Sequence, residues 1–257
     1  MPRLFRAAAP FFLASLSACG GGGGDGGPAA EPAPGAQAPS PAPAPSPAPA
    51  PAPAPPPTTA GVIRTGNATY YDATGAGNCG FDPSPGDLRV TAMNAPDYAN
   101  SAVCGAYLAV SGPRGNVTVR VTDRCPECPT GHLDLSQQAF ARIADPVAGR
   151  VPIRWQLVAG DVQGPVQYRY KEGSSRYWVA LQVRNHRWPV TALEIRPAGA
   201  TAWTPVARMD YNYFVYPQQI ADGPLQVRIT AVTGAVLIDT LPAPASALQV
   251  AGGGQFP

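Results

Sequence analysis

The chain has very few of the residues on which several large functional classes depend. Only two of its 257 residues are histidine, which argues against a His-based zinc site, and Lys171 is the only lysine among 18 basic residues. The net charge of +2 and the absence of a clustered basic stripe argue against a nucleic-acid binder. Phosphate loops, dinucleotide fingerprints and zinc-ligand spacings are missing as well, so we expect no metal and no cofactor.

The apolar run near the start of the chain is too short to span a bilayer as a permanent helix. Two arginines precede it and Leu16-Ser17-Ala18-Cys19 follows it, as in an export signal with its processing site. We therefore expect residues 1–19 to be a lipoprotein signal peptide, with Cys19 lipidated after cleavage and serving as the only membrane contact. The alternative is an ordinary secretory signal. The residue after Cys19 is Gly20 rather than the Asp that retains lipoproteins at the inner membrane, and this favours a location at the outer membrane or cell surface.

Residues 20–60 contain little from which a core could be built. A glycine stretch is followed by Pro28–Pro57, which holds fourteen of the 33 prolines in alternation with alanine. Proline fixes φ and lacks an N–H, so the tract should be extended, and about thirty residues at about 3.1 Å each reach roughly 90 Å. We expect a disordered Gly- and Pro/Ala-rich tether that leads to residues 61–257, a length sufficient for two domains.

Both parts of this remainder show short apolar alternations separated by Gly, Pro, Asn and Asp clusters, which predicts β structure. In the first part, 61–158, strands are predicted at 68–70, 90–92, 107–110, 117–121 and 153–157. One helix is predicted at 136–144, capped by Ser136. In the second part, 159–257, the pattern predicts a β-sandwich with strands at 166–170, 178–183, 193–195, 225–229 and 236–238.

The remaining four cysteines lie in the first part, at Cys79, Cys104, Cys125 and Cys128. An even number in an exported chain argues for two disulfides. Four cysteines allow three pairings, and the sequence alone leaves all three open. The Cys125-x-x-Cys128 spacing also occurs in redox motifs, but no βαβ pattern surrounds it here.

Two carboxylates stand eleven residues apart in the segment 121–136. An apolar strand that ends near Val121 delivers Asp123, and a second apolar segment delivers Asp134 just before the predicted helix. Two carboxylates brought to one groove are the arrangement that glycoside chemistry uses. In the simpler interpretation, Asp123 ends a strand and Asp134 begins a turn.

Several motifs resemble those of expansins, and they occur in the same order along the chain. The first-domain segments are 66–71 (Gly-Asn-Ala-Thr-Tyr-Tyr), 91–94, 104–108, 121–123 and 132–136, and the second-domain segments are 170–176, 182–186 and 209–212. The resemblance covers residues 61–257. It implies an all-β protein, with a six-stranded double-psi β-barrel at 61–158, related to family 45 glycoside hydrolases. An immunoglobulin-like, cellulose-binding β-sandwich would follow at 159–257.

The resemblance also implies roles for residues in a barrel groove. Asp134 is similar to the family's essential acid, Asp123 to the residue that supports it, Glu127 to a further acidic residue and Thr69 to a hydrogen-bonding partner. The base that a hydrolase also needs has no counterpart, and none of three nearby carboxylates lies in a matching motif: Asp72, Asp82 and Asp87. The resemblance therefore implies wall loosening without hydrolysis.

In the second domain the resemblance implies a carbohydrate-binding platform of Tyr177, Trp178 and Tyr211, with Lys171 beside it. Tyr177 stands where a Trp is common. A regular strand would point Tyr177 and Trp178 to opposite faces, so the platform requires a local twist or bulge. Tyr71 stands in the barrel where a small hydroxyl residue is common, and we expect it to contribute carbohydrate contact.

The cysteine-bearing loop resembles the disulfide-linked barrels of plant and fungal relatives. Cys125 stands where bacterial relatives often have a groove Tyr. By this resemblance Cys79 pairs with Cys104, and Cys125 pairs with Cys128.

Our main hypothesis is a non-enzymatic, monomeric wall-loosening protein that binds polysaccharide: cellulose first, with xyloglucan and peptidoglycan as other candidate polymers. The alternatives are a family 45-like endoglucanase with an unrecognised base, and a lytic transglycosylase that resembles the rare lipoprotein A family. A fourth is a carbohydrate-binding surface protein with an inert barrel.

Overall fold

The computed structural model describes residues 60–257. The predicted signal peptide at 1–19, the candidate lipidation site Cys19 and residues 20–59 of the predicted tether lie outside the described residues. Within 60–257, the strands form one closed barrel and two further sheets, which confirms the predicted all-β fold class.

The barrel closes through six strands in the order β1-β5-β2-β4-β3-β6. Their bounds are β1 (Arg64–Tyr71), β2 (Val90–Asn94), β3 (Tyr107–Gly112), β4 (Gly115–Cys125), β5 (Leu133–Ser136) and β6 (Val151–Val158). The pairs β1–β5 and β2–β4 are parallel, whereas the other neighbours are antiparallel. All five predicted strands of this part are confirmed. The short β5, flanked by β1 and β2, places Asp134 between two other strands.

Two short α-helices accompany the barrel, α1 (Ala95–Tyr98) and α2 (Gln137–Ile143). The predicted helix is α2, and Ser136 caps it by accepting a 3.1 Å hydrogen bond from the amide of Ala139. The prediction of a single helix was wrong, since α1 is also present. With only four residues, α1 shows no periodicity from which it could be predicted. Asn94 caps it by accepting a hydrogen bond from the amide of Asp97. No helix in residues 60–257 is both long and apolar enough to cross a membrane.

The second part is a sandwich of a five-stranded and a four-stranded sheet, ordered β11-β12-β8-β7-β15 and β10-β9-β13-β14. The strands are β7 (Gln167–Tyr170), β8 (Val179–Arg184), β9 (Val190–Pro197), β10 (Thr204–Pro205), β11 (Ala207–Arg208), β12 (Phe214–Tyr216), β13 (Leu225–Ala231), β14 (Val236–Leu241) and β15 (Gln249–Ala251). Side chains from both sheets share one apolar core. One predicted boundary needs correction, since β8 begins at Val179 and Trp178 lies before it. We retain 61–158 and 159–257 as the proposed domain bounds.

The barrel and the sandwich are joined by many polar contacts. Asp82 accepts hydrogen bonds from Arg184 at 2.6 Å and from Arg169 at 2.8 Å. The carbonyl of Cys79 accepts from the side chains of Gln182 at 2.9 Å and Asn212 at 3.1 Å. Both disulfides that the family resemblance implied are present: Cys79–Cys104, beside this interface, and Cys125–Cys128.

His186 lies inside this interface and is 4% exposed. Its ring packs so closely on Gly105 that a Cβ there would come within 2.7 Å of His186 Nε2. Burial, together with the guanidinium groups of Arg208 and Arg120, lowers the pKa of His186 to about 4. The interface therefore contains a neutral imidazole whose protonation would place a further cation beside two others.

We expect this histidine to make the protein less stable in acid. Its folded-state pKa of about 4 lies below the unfolded value of about 6.5, so the unfolded chain takes up the extra proton as the pH falls through that window. The free energy of unfolding should fall by about 3 kcal/mol across it, since one pKa unit corresponds to about 1.36 kcal/mol. Urea unfolding at several pH values, with wild type beside His186→Gln, would measure the difference. Equal pH dependence in both proteins would contradict the prediction.

Candidate functional site

One row of residues runs across four adjacent barrel strands. Asp134 on β5 pairs with Thr69 on β1 on one side and with Ala92 on β2 on the other. Ala92 in turn pairs with Asp123 on β4. The two carboxylates therefore flank a small residue, and two strand spacings place their Cα atoms about 10 Å apart.

The half-buried carboxyl of Asp134 is held by a short polar relay. Thr69 donates its hydroxyl proton to Asp134 Oδ1 at 2.5 Å, and the same hydroxyl lies 2.9 Å from His132 Nε2. Burial raises the pKa of Asp134; the hydrogen bond from Thr69 and the nearby His132 oppose the rise, while Glu127 and Asp123 add to it. Asp134 thus keeps its proton to a higher pH than an ordinary aspartic acid, as a proton donor requires.

His132 is a member of this relay that the sequence did not identify as a site residue. The ring is 3% exposed, and burial followed by the nearby Arg150 lowers its pKa, so that it is neutral. Since the Thr69 hydroxyl donates a hydrogen bond to Asp134, its oxygen is free to accept one from His132, an arrangement that favours the tautomer protonated at Nε2. A usable signal was present: His132 and Asp134 are two positions apart, the spacing at which residues share one face of an extended segment.

Asp123 is engaged with the backbone of its own barrel. Its Oδ1 accepts hydrogen bonds from the amides of Asn78 at 2.7 Å and Arg124 at 2.8 Å. Gly77 packs directly on it, since a Cβ there would come within 2.3 Å of Asp123 Cγ. Asp123 therefore holds the loop at 77–79 through one carboxylate oxygen. Its negative charge also helps to raise the pKa of Asp134.

The phenol of Tyr71 lies within electrostatic reach of both carboxylates. Burial raises its pKa, and the charges of Asp123 and Asp134 raise it further. The phenol is therefore protonated at any physiological pH, and its buried hydroxyl has no hydrogen-bond partner within residues 60–257. The hydroxyl is shielded from solvent, so a ligand beside the row would contact the partly exposed ring of Tyr71 rather than its hydroxyl.

Glu127 stands on the loop between β4 and β5 and is exposed. The Cys125–Cys128 disulfide closes this loop on either side of it. The charge of Glu127 helps to raise the pKa of Asp134, so these two carboxyl groups interact electrostatically. The carboxylates Asp134, Asp123 and Glu127 thus form one acidic surface with Thr69 and Tyr71.

The three other candidate carboxylates differ in their surroundings. Asp82 is bound by Arg184 and Arg169, whose hydrogen bonds lower its pKa, so it belongs to the interdomain contact. Asp87 is paired with Arg89 at 2.7 Å. Asp72 is exposed and, together with Tyr71, Gln137 and Gln138, lines a cleft of about 330 Å³.

The expected platform residues Tyr177 and Trp178 lie in a tight turn before β8. Ser175 and Trp178 exchange backbone hydrogen bonds of 2.9 and 3.2 Å, which leaves Arg176 and Tyr177 at the tip. Tyr177 is 62% exposed, and Trp178 is partly exposed. The alternation that would separate the two rings in a regular strand therefore does not apply, because a turn replaces it.

Tyr211 lies in the turn between β11 and β12, at the edge of the same sheet. Strand β12 pairs with β8 through Phe214 and Leu181, while β7 lies on the other side of β8. From the β7 side, the ammonium of Lys171 comes within 6.0 Å of the Tyr211 ring centroid and 5.4 Å of the Tyr213 centroid. Lys171 thus reaches from the β7 side of β8 to the Tyr211 turn.

Within residues 60–257, no three His, Cys, Asp or Glu side chains are grouped so that they could hold a metal ion. The row and the platform offer acidic, hydroxyl and aromatic groups. This set suits an uncharged, hydroxyl-rich polymer, whose ring faces stack on aromatics and whose hydroxyls hydrogen-bond to carboxylates.

Comparison with known proteins identifies relatives for each part of the chain. The family described as lytic transglycolase matches residues 63–155, which is the barrel. Expansin-YoaJ of Bacillus subtilis is 41% identical over 208 residues, which cover 76% of this chain and 87% of the relative. Expansin-like protein 5 of Dictyostelium discoideum is 32% identical over 206 residues, with 76% and 86% coverage.

Solved structures extend the similarity to both domains. The crystal structure of the apo expansin of Clavibacter michiganensis shares 38% identity and a TM-score of 0.69, and the match covers 76% of this chain and 98% of that one. A mutant of the same expansin in complex with cellohexaose matches with 37% identity, a TM-score of 0.70 and the same coverage. Because the similarity to these relatives runs through barrel and sandwich alike, the chain belongs to the expansin family.

Proposed function

We propose that this protein binds glucan chains, cellulose above all, and loosens plant-type cell walls by disrupting non-covalent contacts between polysaccharides. The observation that carries the proposal is the combination of two surfaces on one chain. The acidic row of Thr69, Asp134 and Asp123 lies on the barrel, and the sandwich carries Tyr177, Trp178 and Tyr211. The cellohexaose complex of the Clavibacter michiganensis expansin supports glucan as the ligand class.

Expansins are generally non-enzymatic, and the groove chemistry supports the same assignment here. Inverting hydrolysis needs an acid and, across the sugar, a positioned base with room for water. Asp134 has the raised pKa of an acid. Asp123 uses one carboxylate oxygen for two backbone amides, and Glu127 is exposed on a loop. We therefore propose that Asp134 acts by hydrogen-bonding and displacing chains, with Tyr71 adding contact.

The experiment that tests this proposal measures two quantities on one sample. Strips of pure cellulose paper are clamped under constant load with the protein, and extension is recorded while reducing ends are counted in the bath. We expect faster extension than in buffer, with no reducing ends above the buffer level. Release of soluble sugar in proportion to extension would instead support the endoglucanase alternative.

A second candidate function has one observation in its favour, the lytic transglycolase description of the family that matches the barrel. A lytic activity on peptidoglycan would release anhydro-muropeptides from purified sacculi. The expansin relatives cover the sandwich as well as the barrel, which favours the glucan proposal. Incubation with sacculi, followed by chromatography of the soluble products, decides between the two.

We further propose that the protein is exported and held by a lipid on Cys19, with the Pro/Ala tract as spacer. The small residues before Cys19 and the short apolar run support this proposal. In a Gram-negative expression host, the wild-type protein should fractionate with membranes, whereas Cys19→Ala should appear in the soluble exported fraction. A Cys19→Ala protein that stays membrane-bound would exclude the anchor.

A further inference from the structure

The loop at 77–79 connects the acidic row with the aromatic platform. On the barrel side, the amide of Asn78 donates to Asp123 Oδ1 at 2.7 Å, and the amide of Cys79 donates to the carbonyl of Thr122 at 3.2 Å. Gly77 packs on the carboxyl of Asp123 without space for a side chain. The position of this loop is therefore set by the same residue that flanks Asp134 in the row.

The other side of the loop is bonded to the sandwich. Asn78 Nδ2 donates to the carbonyl of Asp210 at 2.9 Å and to the hydroxyl of Tyr98 at 2.9 Å. The Tyr98 hydroxyl itself donates to the same Asp210 carbonyl at 2.9 Å. Asp210 directly precedes Tyr211 in the chain. The side-chain amide of Asn78 is therefore bonded to the residue next to a platform tyrosine, while the backbone amide of Asn78 is bonded to Asp123.

We propose that Asn78 is a positioning residue that keeps the Tyr211 turn in register with the Asp134 groove, so that one glucan chain engages both surfaces at once. This inference rests on the proposed function. Two surfaces bind one ligand productively only when their relative geometry is set before binding. The side-chain amide of Asn78 contacts both the Asp210 carbonyl and the tyrosine that supports it.

Other hydrogen bonds also join the two domains, so the positioning role of Asn78 can be distinguished from a general contribution to the contact between the domains. Arg169 and Arg184 bind Asp82, and Ser101 donates to the carbonyl of Met209 at 2.7 Å. Asn100 Nδ2 donates to the carbonyl of Arg208 at 3.1 Å. These bonds remain when the Asn78 amide is removed, so the domains should stay joined while the Tyr211 turn loses its connection to the row.

The test compares Asn78→Ala with Asn100→Gly. The first substitution keeps the backbone amide on Asp123 and removes only the two side-chain bonds. The second removes one amide-to-carbonyl bond to the neighbouring segment of the sandwich, and glycine suits the positive φ of 52° at that position. For each protein, adsorption to crystalline cellulose is measured, and paper extension is then divided by the amount adsorbed.

We expect Asn78→Ala to adsorb like the wild type, but to extend paper about tenfold less per adsorbed molecule, since misplacement of about 1 Å costs large factors in positioned chemistry. Asn100→Gly should match the wild type in both measurements. Wild-type extension by Asn78→Ala would overturn the inference and leave the proposed function intact. Equal loss in both variants, with equally lowered melting temperatures, would also overturn it, because the role would then be general stability. Sugar release by the wild type would reject the proposed function instead.

Discussion

Asp134→Ala should lose wall loosening while it keeps its adsorption to cellulose. The carboxyl accepts a hydrogen bond from Thr69, and burial raises its pKa. Removal of the carboxyl leaves its hydrogen-bond partners unsatisfied, which costs about 1–3 kcal/mol, so loosening should fall about 10- to 100-fold. Under the proposed function, adsorption depends on the sandwich rings, which lie in a different domain from Asp134 and are not altered by this substitution.

The matched control is Asp87→Ala, which removes an exposed, ion-paired carboxylate from the same barrel. It should loosen paper like the wild type, since an exposed pair contributes little to stability. Equal activity of Asp134→Ala and wild type would leave the barrel inert and support the hypothesis of a purely carbohydrate-binding protein. Sugar release that disappears only in Asp134→Ala would show that Asp134 is a hydrolytic acid.

The pH profile gives an independent check on Asp134. Because its pKa is raised, the protonated fraction grows as the pH falls through a window above that of an ordinary aspartic acid. Loosening per adsorbed molecule should rise as this window is crossed towards acid. Asp134→Asn carries a permanent N–H donor, so it should show a flatter profile. Both proteins keep His186, so its acid destabilisation is common to the two profiles, and the difference between them reports on Asp134.

Local pattern was enough to predict most of the fold. Alternation at 117–121 and the Ser136 cap depend on neighbours in sequence, and both are confirmed. The family motifs located Thr69, Asp123 and Asp134, which strand pairing then brought into one row. Their functional roles remain predictions, and the Asp134 variants above test one of the three.

The features that escaped prediction depend on contacts between distant residues. The 2.9 Å approach of His132 to Thr69 joins β1 to a residue 63 positions away. The hydrogen bond from Asn78 to Asp210 joins residues 132 positions apart, and the sequence around Asn78 contains no pattern that predicts it. The turn at 175–178 was anticipated only as a local twist or bulge, because Tyr177 and Trp178 lead directly into the apolar residues of β8 and nothing in the sequence marks where the strand begins.

Trp178→Ala should sharply weaken adsorption to crystalline cellulose. Loss of about 100 Å² of stacked apolar surface, at about 25 cal/mol per Å², costs about 2.5 kcal/mol and should raise the Kd between about 10- and 100-fold. Trp203→Ala is the matched control, because Trp203 is a partly exposed tryptophan of the same domain, flanked by Arg196 at 4.6 Å and Arg228 at 4.8 Å. Binding isotherms on crystalline cellulose measure both variants.

Tyr177→Trp tests the same platform in the opposite direction. Tyr177 is 62% exposed at the tip of the turn, so a larger ring can be added there without disturbing the core. The added ring face should tighten adsorption by a few-fold, about 1 kcal/mol, if the platform binds by stacking. Unchanged affinity in Trp178→Ala, or equal losses in Trp178→Ala and Trp203→Ala, would place the cellulose contact elsewhere. A gain in Tyr177→Trp with a loss confined to Trp178→Ala would assign adsorption to the turn before β8, leaving the barrel row to act on chains already held.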